Sequence, residues 1–448
     1  MSSKRFFASF SDLGLATTPA TNGGMTLRCP PAFLVLHLAM ILPGWSQAVA
    51  PRPNDAATIA RIRSGFATLN QLYWSPTLRI WLDREGDDVR GHFDGRRNPP
   101  WWSSANAVET MIDFMDATGT NDFDETIDQL YERHRDYRRT FAPMVEELKR
   151  RKQWSEADEA NWQKRKIELA QPRPTPSENE HYVEFRNEYL DDSGWWGIAW
   201  LKMHVRTGES KYLETARAIH AHMARNWRPE NGGGVMWAED ADKQTPNAIT
   251  NCLFLVLSAR LHQRTREQSY LDWAERSLAW IRAQRLFDGK GVVDAPKHEG
   301  DYWSYNQGTY LGGLTAMFQA TSDQAYLTEA ASAAEAMLER SGLVREDQVI
   351  SEKLGTSGWD PGLFKGVFAR YLGHLRDVLN AQKLRPKIAT RIDDVLHRSA
   401  ASMVEHSVAG NGEFTISWHS GAKDQTHNFN TQTAGLALLV STLHPTDK

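Results

Sequence analysis

The chain shows a helical pattern of apolar and polar residues over most of its length, and one version of this pattern occurs four times. In each copy an aromatic residue follows a Thr by five positions, at Phe123, Tyr212, Tyr270 and Tyr326. The Thr region is typical of a helix end, and the run after the aromatic residue has the apolar spacing of a new helix. Strictly alternating β-branched residues, the pattern of strands, are scarce. The copies therefore predict repeated helical hairpins with little sheet.

The interval between the copies predicts the number of hairpins. The last three aromatic residues are 58 and 56 residues apart, and a period in this range indicates stacked units that cannot bury their apolar faces alone. Residues 51–448 hold about six such hairpins once one insertion is set aside. We therefore predict an all-α fold, an (α/α)6 barrel in which six hairpins close into a ring and the connecting loops gather at one wide end.

The insertion lies at about residues 134–180. The interval from Phe123 to Tyr212 is 89 residues, about 31 more than the period allows. The surplus is dense in charge and ends in a Pro-rich run at residues 172–176, which favours a stiff return loop. We predict a charged helical arm beside the cleft that the barrel does not need. A solvated extension of an ordinary helix is the alternative.

Composition and charge narrow the class of protein. Of the 448 residues, 41% are hydrophobic and 24% are charged, and a net charge of −4 gives no reason to expect a nucleic-acid partner. The 17 Trp suit a cleft that binds a ring-shaped ligand, although helix packing accounts for many of them. We expect a monomer. We expect no disulfide framework, because one of the two cysteines, Cys29, lies in a predicted leader and leaves Cys252 alone.

Residues 1–50 have the pattern of an export leader. Met25 begins a short basic stretch, residues 32–42 are apolar but too few to span a bilayer, and a small-x-small cleavage site ends at Ala50. We therefore expect cleavage near Ala50, a secreted or periplasmic mature protein, and no stable membrane insertion. Whether translation starts at Met1 or at Met25 stays open.

The chemistry of the chain is concentrated at Asp191 and Asp192, within residues 188–197, which also hold two Trp and two Gly. Adjacent carboxylates repel, so folding gains little from placing them together. Glycoside hydrolysis requires two carboxyl groups, one to protonate the leaving oxygen and one to attack or to activate water. A helix start, where acidic residues are favoured, is the alternative explanation. Together with the flat faces of the two Trp, the pair predicts a site that acts on a sugar.

Further polar and aromatic residues fall at predicted helix starts, at the interval of the repeat. In a barrel such positions converge on one rim, where a hydroxyl-rich ligand needs fixed donors and acceptors. Each residue alone is better explained as a helix cap, but their recurrence favours binding. The candidates for substrate contact are Trp102, Asn106, Trp195, Trp196, Trp237, Asn247, Tyr305, Asn306, Gln307, Asp360 and Lys365.

No metal or cofactor motif accompanies these residues. The sequence lacks a His-Glu-x-x-His motif, an EF-hand loop, a Walker loop and a Gly-x-Gly-x-x-Gly fingerprint. Two carboxyl groups held close together split their proton affinities, so one can stay protonated near neutral pH and act as an acid. We therefore expect catalysis without a metal ion and without an organic cofactor.

The sequence resembles glycoside hydrolase family 76, the endo-α-1,6-mannanase family, over roughly residues 60–440. The motifs that carry this resemblance are residues 191–196, residues 232–234 with Trp237, Asn247 with Asn251, residues 305–308 and residues 364–371. The resemblance implies an (α/α)6 barrel and a retaining mechanism, with Asp191 as the nucleophile and Asp192 as the general acid/base. It also implies a substrate of α-1,6-linked mannan or of another mannose-containing glycan. The charged insertion is a departure, because the family does not require it.

Other functions are compatible with the same residues. The covalent intermediate of a retaining enzyme can also pass to a sugar acceptor, which would make the protein a transglycosylase acting on cell-wall or anchor mannosides. A non-catalytic toroid that binds glycan through the two aspartates is a second alternative. A sugar epimerase on a similar barrel is a third, but such enzymes depend on histidines, and no equivalent cluster of His flanks the predicted cleft.

Overall fold

The described residues form a ring of helices. The computed structural model describes residues 54–83, 85, 89–94, 99–136, 140–170, 184–229, 232–239, 245–296, 300, 302–352 and 359–445. The predicted leader lies outside these residues. The helices of the described residues are α1 (Ala56–Tyr73), α2 (Val89–Phe93), α3 (Trp101–Thr118), α4 (Asp124–His134), α5 (Phe141–Arg150), α6 (Glu156–Ala170), α7 (Leu190–Thr207), α8 (Ser210–Arg225), α9 (Ala248–Thr265), α10 (Gln268–Ala283), α11 (Ser304–Thr321), α12 (Gln324–Arg340), α13 (Pro361–Ala381), α14 (Pro386–His406) and α15 (Phe429–Ser441).

Six helices form the inner ring, in which each helix contacts the next and the last contacts the first, in the order α3, α7, α9, α11, α13 and α15. Helices α8, α10, α12, α14 and α1 pack outside, each against an inner helix. Because an outer helix returns the chain between successive inner helices, the inner helices run in one direction and gather their N-termini at one end. The predicted (α/α)6 barrel is confirmed.

Burial follows from the residue pattern of each helix. The inner helices α9, α11 and α15 bury residues around their whole circumference, as expected for helices without a polar face. The outer helices α8 and α14 bury one face only. The only strands among the described residues are β1 (Trp74–Ser75) and β2 (Ile80–Trp81), which pair antiparallel with Trp74 opposite Trp81. The prediction of little sheet is therefore confirmed.

The Thr of the repeat marks the turn from an inner helix to an outer one. Helices α3, α7, α9 and α11 end at this Thr, and the next residue is left-handed each time. Gly208 adopts this conformation without a steric cost, whereas Arg266 and Ser322 adopt it at φ values of 64° and 63°. The predicted hairpin boundaries are thus confirmed, and the turn is kept even where glycine is replaced.

Arg370 ties inner helices together across the ring. It lies on α13, but it donates to the side chains of Asn106 (2.7 Å) and Glu109 (3.0 Å) on α3. Lys202 on α7 also donates to Glu109, at 3.2 Å. Burial alone would raise the pKa of Glu109, but the charges of Arg370 and Lys202 outweigh burial and lower it. Three inner helices therefore share one buried, ionised cluster, in which loss of a single partner would leave an unpaired charge.

The region of the predicted insertion contains helices α5 and α6. Their apolar residues, among them Trp162, form a small core with residues 78–82 and 89–93, separate from the core of the barrel. Arg90 binds both carboxylate oxygens of Asp158 on α6, at 2.9 and 2.8 Å. That the barrel can dispense with this arm stays a prediction. No helix among the described residues has the length and apolar character needed to cross a membrane.

A glycine at the contact of α13 with α15 provides a test of the ring packing. A Cβ atom at position 366 would lie 2.5 Å from the Cα of Ala434, which the backbone of α15 cannot relieve without moving. We expect Gly366→Ala to lower the free energy of unfolding by about 1–3 kcal/mol, the usual cost of overpacking. Gly410→Ala is the matched control, because a Cβ atom there meets no atom within 4 Å. Equal unfolding temperatures for the two variants, measured by calorimetry, would contradict the close contact.

Candidate active site

Asp191 and Asp192 lie in the first turn of α7, at the end of the ring where the inner helices begin. Both side chains are partly buried. The backbone N–H of Asp192 donates to Oδ1 of Asp191 at 3.0 Å, so the first carboxylate is fixed by the helix that carries it. The pair therefore projects from a rigid helix start into the mouth of the barrel.

Asn187 holds the second carboxylate. Its side-chain amide donates to Oδ2 of Asp192 at 2.6 Å, while its own Oδ1 accepts the N–H of Tyr189 at 2.8 Å. The backbone N–H of Asn187 donates to Oγ of Ser193 at 3.1 Å. Asn187 is buried and its orientation is fixed at three points. Asn187 is not among the residues predicted from the sequence, because an Asn before a helix start is typical of an ordinary helix cap.

A short antiparallel pairing of two backbone segments holds Trp237 beside Asp191. The N–H of Leu190 donates to the carbonyl of Trp237 at 2.8 Å, and the N–H of Glu239 donates to the carbonyl of Glu188 at 2.9 Å. This pairing places the indole N–H of Trp237 3.2 Å from Oδ2 of Asp191. Both oxygens of Asp191 thus accept a hydrogen bond from a fixed donor.

Burial dominates the electrostatics of the pair. Loss of water raises the pKa of Asp191 from 3.8 to about 7, in spite of the donors that favour its ionised form. Burial, and after it the charge of Asp191, raises the pKa of Asp192 well above the usual value. The two groups titrate as a pair. Near neutral pH the pair retains a proton, and the geometry favours Asp192 as its carrier.

Aromatic side chains surround the two carboxyl groups. Tyr305 stacks on Phe364 with 3.9 Å between ring centroids, and Trp102 lies between Phe364 (6.0 Å) and Trp195 (5.9 Å). The indole N–H of Trp102 donates to Asp360 at 2.9 Å. The negative charge of Asp360 contributes to the raised pKa of both Asp191 and Asp192. Predicted residues from α3, α11 and the start of α13 are therefore brought together around the pair.

Trp196 is placed in the core, contrary to the expectation of a substrate contact. Its side chain is fully buried and stacks on Trp200 at 5.4 Å, with Phe185 at 5.0 Å on another side. Successive residues of a helix point about 100° apart. Trp195 therefore packs on Trp102 beside the site, whereas Trp196 packs between the inner and outer helices. Trp195 is buried as well, so its predicted contact with substrate is also contradicted.

Three of the predicted amides stabilise the frame of the site. Asn106 is fully buried and accepts a hydrogen bond from Arg370, and Gln307 clamps the backbone of Val292, accepting its N–H at 2.6 Å and donating to its carbonyl at 2.9 Å. Asn247 caps α9 by accepting the N–H of Thr250 at 3.2 Å. The sequence left open whether these residues contact substrate or serve as caps and packing residues. The structure shows them as caps and packing residues.

Two other predicted contacts are also buried. Asn306 donates to Asp294 at 2.9 Å. Lys365 donates to the carbonyl of Ile416, and its ammonium lies 4.1 Å from the ring centroid of Trp418. Burial lowers the pKa of Lys365 to about 7. Both side chains therefore support the walls of the site and expose little surface to a ligand.

No metal-binding group lies at this site in the part of the chain that the structure describes. One cluster of three ligand-type side chains, Glu85, Glu413 and His427, occurs in that part, and it includes neither aspartate.

A separate cavity of about 380 Å³ lies among the C-terminal halves of α3, α13 and α15 and is lined by Asp113 and His374, among others.

Comparison with known proteins supplies a family. The model of glycosyl hydrolase family 76 matches residues 178–448. The chain is 27% identical over 278 residues to the Saccharomyces cerevisiae protein named mannan endo-1,6-alpha-mannosidase DCW1, and 26% identical over 282 residues to the one named DFG5. These alignments cover 56% of this chain in each case, and they span only 60% and 59% of the two yeast proteins.

Solved structures share the fold. The α-1,6-mannanase GH76A of Salegentibacter sp. HEL1_6, in an inactive double-aspartate variant with α-1,6-mannotetrose, matches with a TM-score of 0.64 and 19% identity. The match covers 86% of this chain and 98% of that protein. Dfg5 from Chaetomium thermophilum, in complex with glucosamine, matches with a TM-score of 0.64 and 18% identity, covering 88% and 92%. Both matches agree with the barrel described above.

The raised pKa of Asp191 predicts a pH-dependent effect on stability. Between pH 4 and pH 7 the folded protein binds more protons at this group than the unfolded chain, so its contribution to stability falls as the pH rises through this range. Asp191→Asn removes that penalty. We expect the variant to be as stable as the wild type near pH 4 and more stable by at least about 1 kcal/mol near pH 8.

Thermal unfolding at the two pH values measures this difference. Asp394→Asn, on the outer helix α14, is the matched control because it also belongs to a pair of consecutive aspartates. A stability gain of Asp191→Asn that is the same at both pH values, or a loss at pH 8, would show that the Asp191 carboxyl is not held out of water.

Proposed function

Because the chain belongs to glycosyl hydrolase family 76, we propose that it hydrolyses α-1,6-linked mannan by a retaining mechanism. The observation that carries this proposal is the pair of consecutive, partly buried carboxyl groups, of which one is poised to hold a proton near neutral pH. A glycosidase needs one carboxylic acid and one carboxylate at the same bond, and this pair supplies both without a metal ion.

Asp191 is the nucleophile in this proposal and Asp192 the general acid/base. The ionised Asp191, held by the donors of Trp237 and Asp192, attacks the anomeric carbon while Asp192 protonates the leaving glycosidic oxygen. A mannosyl ester of Asp191 results. The ionised Asp192 then takes a proton from water, which attacks the anomeric carbon and releases Asp191. Asn187 keeps Asp192 in the same position through both steps.

The similar proteins support the substrate class. The Salegentibacter enzyme is an α-1,6-mannanase that was inactivated at two consecutive aspartates, and it binds α-1,6-mannotetrose in that form. The similar yeast proteins carry the name mannan endo-1,6-alpha-mannosidase. In this chain, the aromatic faces of Trp102, Tyr305 and Trp237 flank a carboxylate pair and offer apolar surfaces to mannose rings.

The proposal includes the location of the enzyme. A mannan polymer lies outside the cell membrane, and residues 25–50 have the charge and apolar pattern of an export signal. We propose that the mature protein acts outside the cytoplasm. N-terminal sequencing of the protein from its host distinguishes a start near Pro51 from an intact Met1.

The central test is the activity of the two aspartate variants on linear α-1,6-mannan. We expect Asp191→Asn and Asp192→Asn each to lower kcat by at least about 10²–10⁴-fold, because each removes one of the two required carboxyl groups. Asp394→Asn should retain full activity. Wild-type protein should shorten α-1,6-mannan and leave α-1,2- and α-1,3-linked controls intact, as measured by product sizing. Near-wild-type turnover by either site variant would refute the assigned roles.

The indole donor of Trp237 predicts a shift in the pH profile. Its hydrogen bond favours the ionised form of Asp191, so Trp237→Phe should raise the pKa of that group. A hydrogen bond of this kind contributes about 0.5–1.5 kcal/mol, so the acidic limb of kcat/KM should move up by about 0.5–1 pH unit. Trp227→Phe is the control, because the ring of Trp227 packs on Trp273 away from the carboxylates. An unmoved acidic limb would mean that the indole N–H does not tune the nucleophile.

The same assays separate hydrolysis from transfer. With a mannoside acceptor added, a hydrolase releases reducing ends in proportion to the bonds it breaks. A transglycosylase instead forms longer products with little new reducing sugar. We propose hydrolysis as the main reaction, and dominant transfer at low acceptor concentration would replace it with the alternative.

A further inference from the structure

A group of polar side chains lies at the seam where α1 meets α15. We call Glu85, Glu413 and His427 the seam cluster. One ligand-type atom of each residue lies within 4.8 Å of the others. His427 is 3.9 Å from Glu413, between Nε2 and Oε2. Because Glu85 and Glu413 are more than 300 residues apart in sequence, no local sequence motif predicts the cluster.

Glu413 is the most constrained member of the seam cluster. Its side chain is fully buried, and it accepts hydrogen bonds from the Tyr73 hydroxyl and from the Asn411 amide (2.6 Å). The same Asn411 amide donates to Glu85 at 3.1 Å, while Oδ1 of Asn411 accepts the N–H of Glu413 at 3.2 Å. One amide nitrogen therefore holds the two carboxylates beside each other.

In the part of the chain that the structure describes, no Lys or Arg forms an ion pair with Glu85 or Glu413. The one basic side chain of that part within 4.0 Å of Glu413 is His427. A buried carboxylate beside a second carboxylate is costly unless a positive charge compensates it.

We propose that the seam cluster is a structural site for a divalent cation that accepts nitrogen and oxygen ligands, with Zn²⁺ as the preferred ion. One imidazole and two carboxylates form such a donor set, whereas Ca²⁺ and Mg²⁺ prefer oxygen ligands alone. In the tetrahedral geometry of Zn²⁺, ligand atoms at about 2.0–2.2 Å from the ion are about 3.3–3.6 Å from one another. The exposed side chains of Glu85 and His427 therefore need to move by about 1–1.5 Å to complete the site.

The position of the cluster indicates what the ion does. Glu85 follows β2 near the beginning of the ring, and Glu413 and His427 belong to the connection between α14 and α15. Tyr73, the last residue of α1, also contacts Glu413 and packs its ring on Phe429 at 5.6 Å. A bound cation therefore clamps the segment that follows α1 to the segment that precedes α15, where the ring closes. It takes no part in the proposed hydrolysis, because neither Asp191 nor Asp192 belongs to the cluster.

Calorimetry with the full chain, purified without a His tag and stripped of metal, tests the proposal. We expect one equivalent of Zn²⁺ to bind with a Kd of about 10 μM or tighter and to raise the unfolding temperature. His427→Ala and Glu85→Gln should each weaken binding by at least about 10-fold and lose the thermal shift. Both positions are exposed, so the variants should fold.

His419→Ala is the matched control, because His419 lies on the same connection but outside the seam cluster. Its binding should equal that of the wild type. Equal Zn²⁺ affinity of His427→Ala and His419→Ala would overturn the site, and so would a wild type whose unfolding temperature is unchanged by Zn²⁺. Tighter binding of Ca²⁺ than of Zn²⁺ would overturn the assignment of the ion.

Discussion

The removal of water from two adjacent carboxyl groups is the constraint on which the site depends. In water, consecutive aspartates at a helix start would both ionise, and the helix N-terminus would favour this. Here burial outweighs the favourable donors and raises the pKa of both groups. The free-energy cost is carried by the packing of the inner ring and by the hydrogen bonds of Asn187 and Trp237. Because the pKa of both groups is raised, the pair retains a proton near neutral pH, and an acid and a base lie within one helical turn.

The residues that stabilise the barrel and the residues of the active site lie at different levels along the barrel axis. The inner helices begin at the end that holds Asp191, Asp192 and the surrounding aromatic rings. Further along these helices, Arg370 and Glu109 bind α13 to α3, and close backbone contacts such as that of Gly366 with Ala434 leave no room for side chains. Amides at the starts of inner helices connect the two levels. Gln307 and Gln432 each accept a backbone N–H from the loop that precedes their helix, so the loops at the rim are positioned by the ring.

Much of the fold could be predicted from sequence because its determinants are local. The Thr repeat encodes a turn that recurs at each hairpin, and its period counts the helices. Asp191 and Asp192 could also be predicted, since consecutive carboxylates beside Trp are unusual in a folding role. Trp196 and Gln307 could not be assigned, because their roles depend on which face of a helix meets a neighbour. Asn187 could not be found either, since its function arises only when Asp192 lies beside it.

The most direct test of the account is to trap the intermediate on the enzyme. A fluorinated α-1,6-mannobiosyl fluoride forms the covalent ester of a retaining enzyme but slows its hydrolysis. The account predicts a mass increase of one fluorinated mannobiosyl group, and peptide mapping should place it on Asp191. The Asp191→Asn variant should remain unlabelled. A label on Asp192 or on another residue, or consumption of the reagent without any labelled protein, would contradict the assignment of Asp191 as the nucleophile.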